Sequence, residues 1–135
     1  MKDIINDYGQ TAGKIWNTLF EYGSLDEENL IKKSHINKNE FYVGIGWLAR
    51  ENKISKNGPY YVLSETNLTY KIGINAGKVW NILKTSNDNS ITSIAKISKI
   101  SLKDAYSAIG WLARENKIKP ITQNIKNQVV KFQIK

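Results

Sequence analysis

The sequence predicts a mainly α chain with small β-hairpins (α+β), built as two similar three-helix units packed together as an internal pseudo-dimer. Three observations lead there. The ten residues IGWLARENKI occur unchanged at 45–54 and again at 109–118. A shift of 64 residues aligns 11–54 with 75–118 without a gap, and 20 of the 44 positions are identical. Each copy then shows three stretches of helical apolar spacing followed by two short extended ones. Residues 1–64 form the first repeat and 65–135 the second; two units of this size bury modest cores and are expected to pack on each other.

The first helix is expected to start near Gln10, with Tyr8, Ala12, Ile15, Trp16 and Leu19 on one face, and to stop at Gly23. Trp16 and Trp80 read as core residues. A short helix follows Asp26, whose carboxylate can cap it, with Glu27 and Glu28 favourable to the helix dipole. Its counterpart begins after Ile91, with Thr92 as the expected cap and Ile94, Ala95 and Ile97 inward. The turns His35-Ile36 and Lys99-Ile100 lead to Asn37 and Ser101, both good caps for a longer third helix.

On that third helix, Phe41, Ile45, Leu48 and Asn52 form the expected core face. Asn39, Glu40, Val43, Trp47 and Arg50 fall opposite, as do Lys103, Asp104, Ser107, Trp111 and Arg114 in the second copy. Strands follow at Lys53-Ile54 and Tyr60–Leu63, around the turn signal Asn57-Gly58. The second copy has Lys117–Lys119, a longer polar loop through 123–128, and a strand at Val129–Ile134. Pro59 and Pro120 sit beside the turns.

Helix, helix-turn-helix and hairpin together make a winged helix. Ala12-Gly13-Lys14-Ile15-Trp16 with Gly46-Trp47-Leu48-Ala49-Arg50-Glu51, and the same pattern at 76–80 and 110–115, resemble a small prokaryotic winged helix-turn-helix family of uncharacterised function. The resemblance covers about nine-tenths of the chain. It implies the fold strongly, and function by analogy to DNA-binding winged helices. Family members are usually single domains, so the tandem arrangement is this chain's departure from them.

Charge directs the functional reading. The formal net charge is +8; residues 1–64 hold eight Lys/Arg and eight Asp/Glu, whereas 65–135 hold twelve and four. A cationic excess confined to one half suggests that this half faces a polyanion. The expected partner is double-stranded DNA, bound mainly electrostatically through Lys96, Lys99, Ser101, Lys103, Ser107, Lys117, Lys119, Lys126 and Lys131. Asn124, Asn127 and Gln128 would add hydrogen-bond donors. A transcriptional regulator or a chromatin-like accessory factor fits that pattern. The alternative is a protein–protein interaction module without direct nucleic-acid binding, with a partner engaged through repeat 1. RNA, stacked on Tyr60, Tyr61 and Tyr70, comes third.

An interface between the repeats is expected around Trp47, Trp111, Gly46 and Gly110, with Gly44 and Ala108 permitting close approach and Gly13 and Gly77 supplying a matching flat surface. No enzyme, cofactor or metal site is expected. One histidine and no cysteine make neither a nucleophile–base pair nor a thiolate cluster. His35 reads as a surface residue. The N-terminal stretch lacks an apolar signal-peptide core, and no run approaches a membrane span, so a cytoplasmic location is the expectation.

Overall fold

A computed structural model describes residues 3–86, 89–121 and 131–135 of the chain. In the first repeat, α1 (Ile4–Tyr22), α2 (Glu27–Ser34) and α3 (Lys38–Arg50) are joined by a sheet of β1 (Leu25–Asp26), β2 (Ile54–Asn57) and β3 (Tyr60–Leu63). In the second, a π-helical turn (Thr69–Gly73) runs into α4 (Ile74–Thr85), followed by α5 (Ile91–Ser98), α6 (Leu102–Arg114), β4 (Ile118–Pro120) and β5 (Phe132–Ile134). The chain is two winged helices in tandem.

Local chemistry accounts for the boundaries. Asp3 caps α1 by accepting from Asn6 N–H, so the helix starts six residues before the expected Gln10. Gly23 ends it at φ 80°, a conformation that costs glycine little. Asn37 and Glu40 form a reciprocal capping box at the start of α3, at 2.8 and 2.9 Å. Ser90, rather than the expected Thr92, caps α5. His35 and Lys99 take the left-handed conformation in the two helix–turn–helix corners, and Asn52 and Asn116 take it just past the third helices.

The first wing is antiparallel, with order β1-β3-β2 and Ser55 opposite Val62. The strand β1 was not anticipated, and its counterpart is a single bridge between Ser90 and Lys131. In the second wing Lys119 pairs with Gln133, and Pro120 lies in the strand itself, opposite Phe132. The expected polar loop through 123–128 lies outside the described residues.

Each repeat has its own core, around Phe41, Ile15 and Leu48 in one and Ile109, Leu112 and Phe132 in the other. Trp47, Tyr106 and Trp111 pack against both. The segments that open the two repeats also reach across. Ile72 is buried in the first core, and its counterpart Tyr8 packs against the second, with its ring 6.4 Å from that of Phe132. The linker between the repeats is pinned: Thr66 N–H donates to Asn52 Oδ1 at 2.9 Å, and the Asn67 amide bonds the Lys56 backbone twice at 2.8 Å.

Candidate nucleic-acid interface and the paired third helices

The third helices decide what surface remains for a ligand. In a DNA-binding winged helix the outer face of this helix enters the major groove. Here that face is taken. Near the start of α3, the ring of Tyr42 lies under the Lys103 ammonium; midway, Gly46 abuts the Ser107 carbonyl and Gly110 the Val43 carbonyl; at the end, Arg50 Nε meets Glu115 Oε2 at 2.9 Å. The matching bond, Arg114 Nε to Glu51 Oε2, is 2.8 Å. These pairings mean that α3 and α6 run side by side in the same direction, related by an approximate twofold axis along them.

The contact is closer than side chains allow. An ideal Cβ built on Gly46 would stand 1.8 Å from Ser107 O, and one on Gly110 would stand 1.9 Å from Val43 O. Only glycine lets the backbones meet at these two points. Gly44 instead faces Ile15 of its own repeat, and Gly13 and Gly77 have nothing within 4 Å of an added Cβ, so neither of the latter contributes to the contact. The four inter-repeat guanidinium and carboxylate groups stay partly exposed, with the arginines near 45%. Such ion pairs orient the helices more than they hold them, at roughly 0–1 kcal/mol each.

Two expectations fail here for one reason. Val43 and Ser107, assigned to the outer face, are 1% and 7% exposed. Each lies where the other repeat's glycine crosses, so Ser107 offers no hydroxyl to a groove. Trp47 and Trp111 are half-buried, with their six-membered rings against Gly9 and Gly73. Trp16 and Trp80, expected in the core, are also only half-buried.

The lysines expected to meet DNA divide between two regions. Lys96 and Lys99 are exposed on the last turn of α5 and the following corner, next to Ser101, whose Oγ accepts from Asp104 N–H at 3.0 Å, and to exposed Lys103. Lys119 on β4 and Lys131 beside β5 are exposed as well, and the backbone of Lys131 bridges to Ser90 at the start of α5. Lys117 stands apart, at the far end of α6, roughly 20 Å along the helix from Lys103. It lies 3.5 Å from Glu115 and 5.9 Å from the Trp80 ring, away from the other lysines. Lys126 lies outside the described residues, as do Asn124, Asn127 and Gln128. Among the described residues, Lys96, Lys99, Lys119 and Lys131 have no carboxylate partner.

The three tyrosines weighed as an RNA platform do not share one surface state: Tyr61 is 3% exposed, Tyr60 50% and Tyr70 81%. Burial raises the Tyr61 phenol well above its ordinary value, and burial together with a 2.7 Å hydrogen bond to Glu27 does the same for Tyr42. His35 is exposed. No group of three His, Asp or Glu side chains among the described residues is arranged to hold a metal, and none of the described helices is long and apolar enough to cross a membrane.

Comparison with known proteins agrees with this architecture. The family described as a winged helix-turn-helix domain (DUF2582) matches twice, over residues 1–62 and 67–131. The chain belongs to that family. A 57-residue stretch, 40% of this chain, is 46% identical to an uncharacterised protein of Methanocaldococcus jannaschii and covers 80% of that protein. No solved structure matches.

Proposed function

Starting from membership of that winged-helix family, we propose that this protein is a non-catalytic binder of double-stranded DNA. It grips the phosphate backbone through repeat 2 and reads little or no base sequence. The observation that carries this is the set of exposed lysines on repeat 2, with Lys96, Lys99 and Lys103 around the α5–α6 corner and Lys119 and Lys131 on the second wing. Repeat 1 has no comparable excess of positive charge.

The mode differs from that of most winged helices. With α3 and α6 turned toward each other, neither third helix is free to enter a major groove, so the usual vehicle for reading base edges is taken. An accessory factor that coats or bridges DNA fits this better than a site-specific regulator. If these five lysines each meet a phosphate, log K falls with log salt at a slope of roughly −4 to −5.

A random duplex titrated at several salt concentrations tests the reading. Binding with that slope, indifferent to sequence and lost in Lys96→Glu/Lys99→Glu/Lys103→Glu, supports it. Absence of binding at low salt, or a slope near zero, overturns it. A second reading has one observation in its favour: Phe20 and Tyr22 on α1 are 72% and 53% exposed, which suits a protein partner engaged through repeat 1. Under that reading Phe20→Glu weakens the interaction and the lysine changes do not.

A further inference from the structure

Two open clefts lie at the C-terminal ends of the third helices, one per repeat, of about 250 Å³ in the first and 170 Å³ in the second. They are the same cleft twice. Each residue lining the second is the same amino acid as its counterpart in the first, 64 positions earlier. The two motifs that define the repeat, separate in sequence, meet here: Gly13 and Trp16 from α1 face Trp47, Glu51 and Lys53 from the end of α3 and the start of the wing. All four tryptophans of the chain line one cleft or the other.

Packing explains part of this identity. Glu51 and Glu115 hold the inter-repeat arginines, and Asn52 and Asn116 sit at positive φ. It does not explain the rest. On the exposed side of α1, Glu21 and Tyr22 correspond to Thr85 and Ser86 in the second repeat, yet Gly13 and Asn17 are unchanged as Gly77 and Asn81. Gly13 and Gly77 lie inside helices, where glycine is unfavourable, and a methyl group at either would touch nothing. Asn17 and Asn81 are exposed and make no side-chain hydrogen bond among the described residues. A missing side chain and an idle amide, both retained beside paired indoles, are what a ligand that approaches the helix backbone would require.

The lining specifies its chemistry. Two indoles offer flat apolar surface to a planar ring. The carboxamide presents a donor and an acceptor in one plane, suited to the edge of a heterocycle. At the mouth, the single carboxylate of Glu51 is outnumbered by Lys53 at 3.5 Å and Arg114 at 2.8 Å. In the second cleft Glu115 faces Lys117 and Arg50, and the Lys84 ammonium lies 4.1 Å over Trp80. We propose that each cleft binds a mononucleotide. The base lies against the indoles, beside the Asn17 amide in the first cleft, and the phosphate is met by the lysine and arginine at the mouth.

The test uses the full chain and its own tryptophans. AMP, GMP, CMP and UMP, and the four uncharged nucleosides, are titrated separately while indole fluorescence is followed, with calorimetry for stoichiometry. The expected result is quenching by at least one monophosphate, two sites per chain, and affinity at least about tenfold above that of its nucleoside, the value of one charge-assisted contact. Gly13→Leu/Gly77→Leu, which fills both clefts with a good helix former, should abolish binding while circular dichroism and the unfolding midpoint hold or rise. Asn17→Ala should weaken binding at the first site and leave the second unchanged. The Lys96→Glu/Lys99→Glu/Lys103→Glu variant should bind nucleotide normally, which separates this site from the duplex-binding surface. No quenching by any of the four monophosphates at millimolar concentration, or full binding in the leucine variant, overturns the assignment.

Discussion

Replacing Gly46 with alanine puts a methyl group where the other repeat's backbone already is. The new Cβ would stand 1.8 Å from Ser107 O, against a usual carbon–oxygen approach of about 3.3 Å, so α3 and α6 must part by roughly 1.5 Å. Nothing at the contact can rotate away, because the obstacle is a carbonyl in mid-helix. Overpacking of this kind costs about 1–3 kcal/mol, and a backbone obstacle belongs at the upper end. Alanine returns up to about 1 kcal/mol through its helix propensity. The net expectation is a loss of about 2 kcal/mol, read as a fall of roughly 1 M in the urea midpoint. Gly110→Ala should match it, since its Cβ would stand 1.9 Å from Val43 O. The double variant should lose less than the sum, because helices parted for one methyl have partly made room for the other. Gly13→Ala is the control of opposite sign: with nothing within 4 Å, it should gain about 0.5–1 kcal/mol. A Gly46→Ala protein within about 0.5 kcal/mol of the parent would refute the reasoning.

Three other outcomes follow from the same geometry. Ile72→Ala, which removes a second-repeat side chain from the first-repeat core, should cost about 2–5 kcal/mol and expose Trp47, seen as a red-shifted indole emission. Arg50→Ala and Arg114→Ala should each cost less than about 1 kcal/mol, with the loss shrinking as salt is added. Tyr8, Tyr42, Tyr61 and Tyr106 all have their phenol pKa raised, chiefly by burial. The unfolded chain therefore ionises first, and the stability these groups contribute is intact below about pH 10 and lost as pH rises further. Phenolate absorbance should accordingly rise together with unfolding at alkaline pH, and Tyr42→Phe should move that transition.

Much of the fold can be read from local chemistry. Asn37, Ser101 and Asp26 cap where their side chains say they should, and Gly58 turns the first hairpin at φ 59°. The misassigned faces share one root, contact with the other repeat. A helical wheel divides α3 into a core face and a solvent face, and has no third category for a face buried against a twin. Val43 and Ser107 are therefore misassigned, although Gly46 and Gly110 do signal a close approach. The early start of α1 is hidden similarly, because Ile5 and Tyr8 pack against the second core rather than their own. Ser90 and Thr92 are both good caps by residue type, and only the extended backbone at Ser90 selects between them. The clefts were legible as two motifs but not as one place, since Gly13 and Trp47 lie far apart in sequence and meet only in the folded repeat.

The exchange of Tyr8 and Ile72 between cores bears on what either half could do alone. A severed repeat would lack its neighbour's plug and would bare the flank around Val43 or Ser107, so mass action would drive it to self-associate, with a stability that rises with concentration. Tethering removes that dilution penalty, because the second half is always at high local concentration. It also frees the halves from having to match, and a gene encoding both can charge one face and leave the other neutral, as a strictly symmetric homodimer cannot.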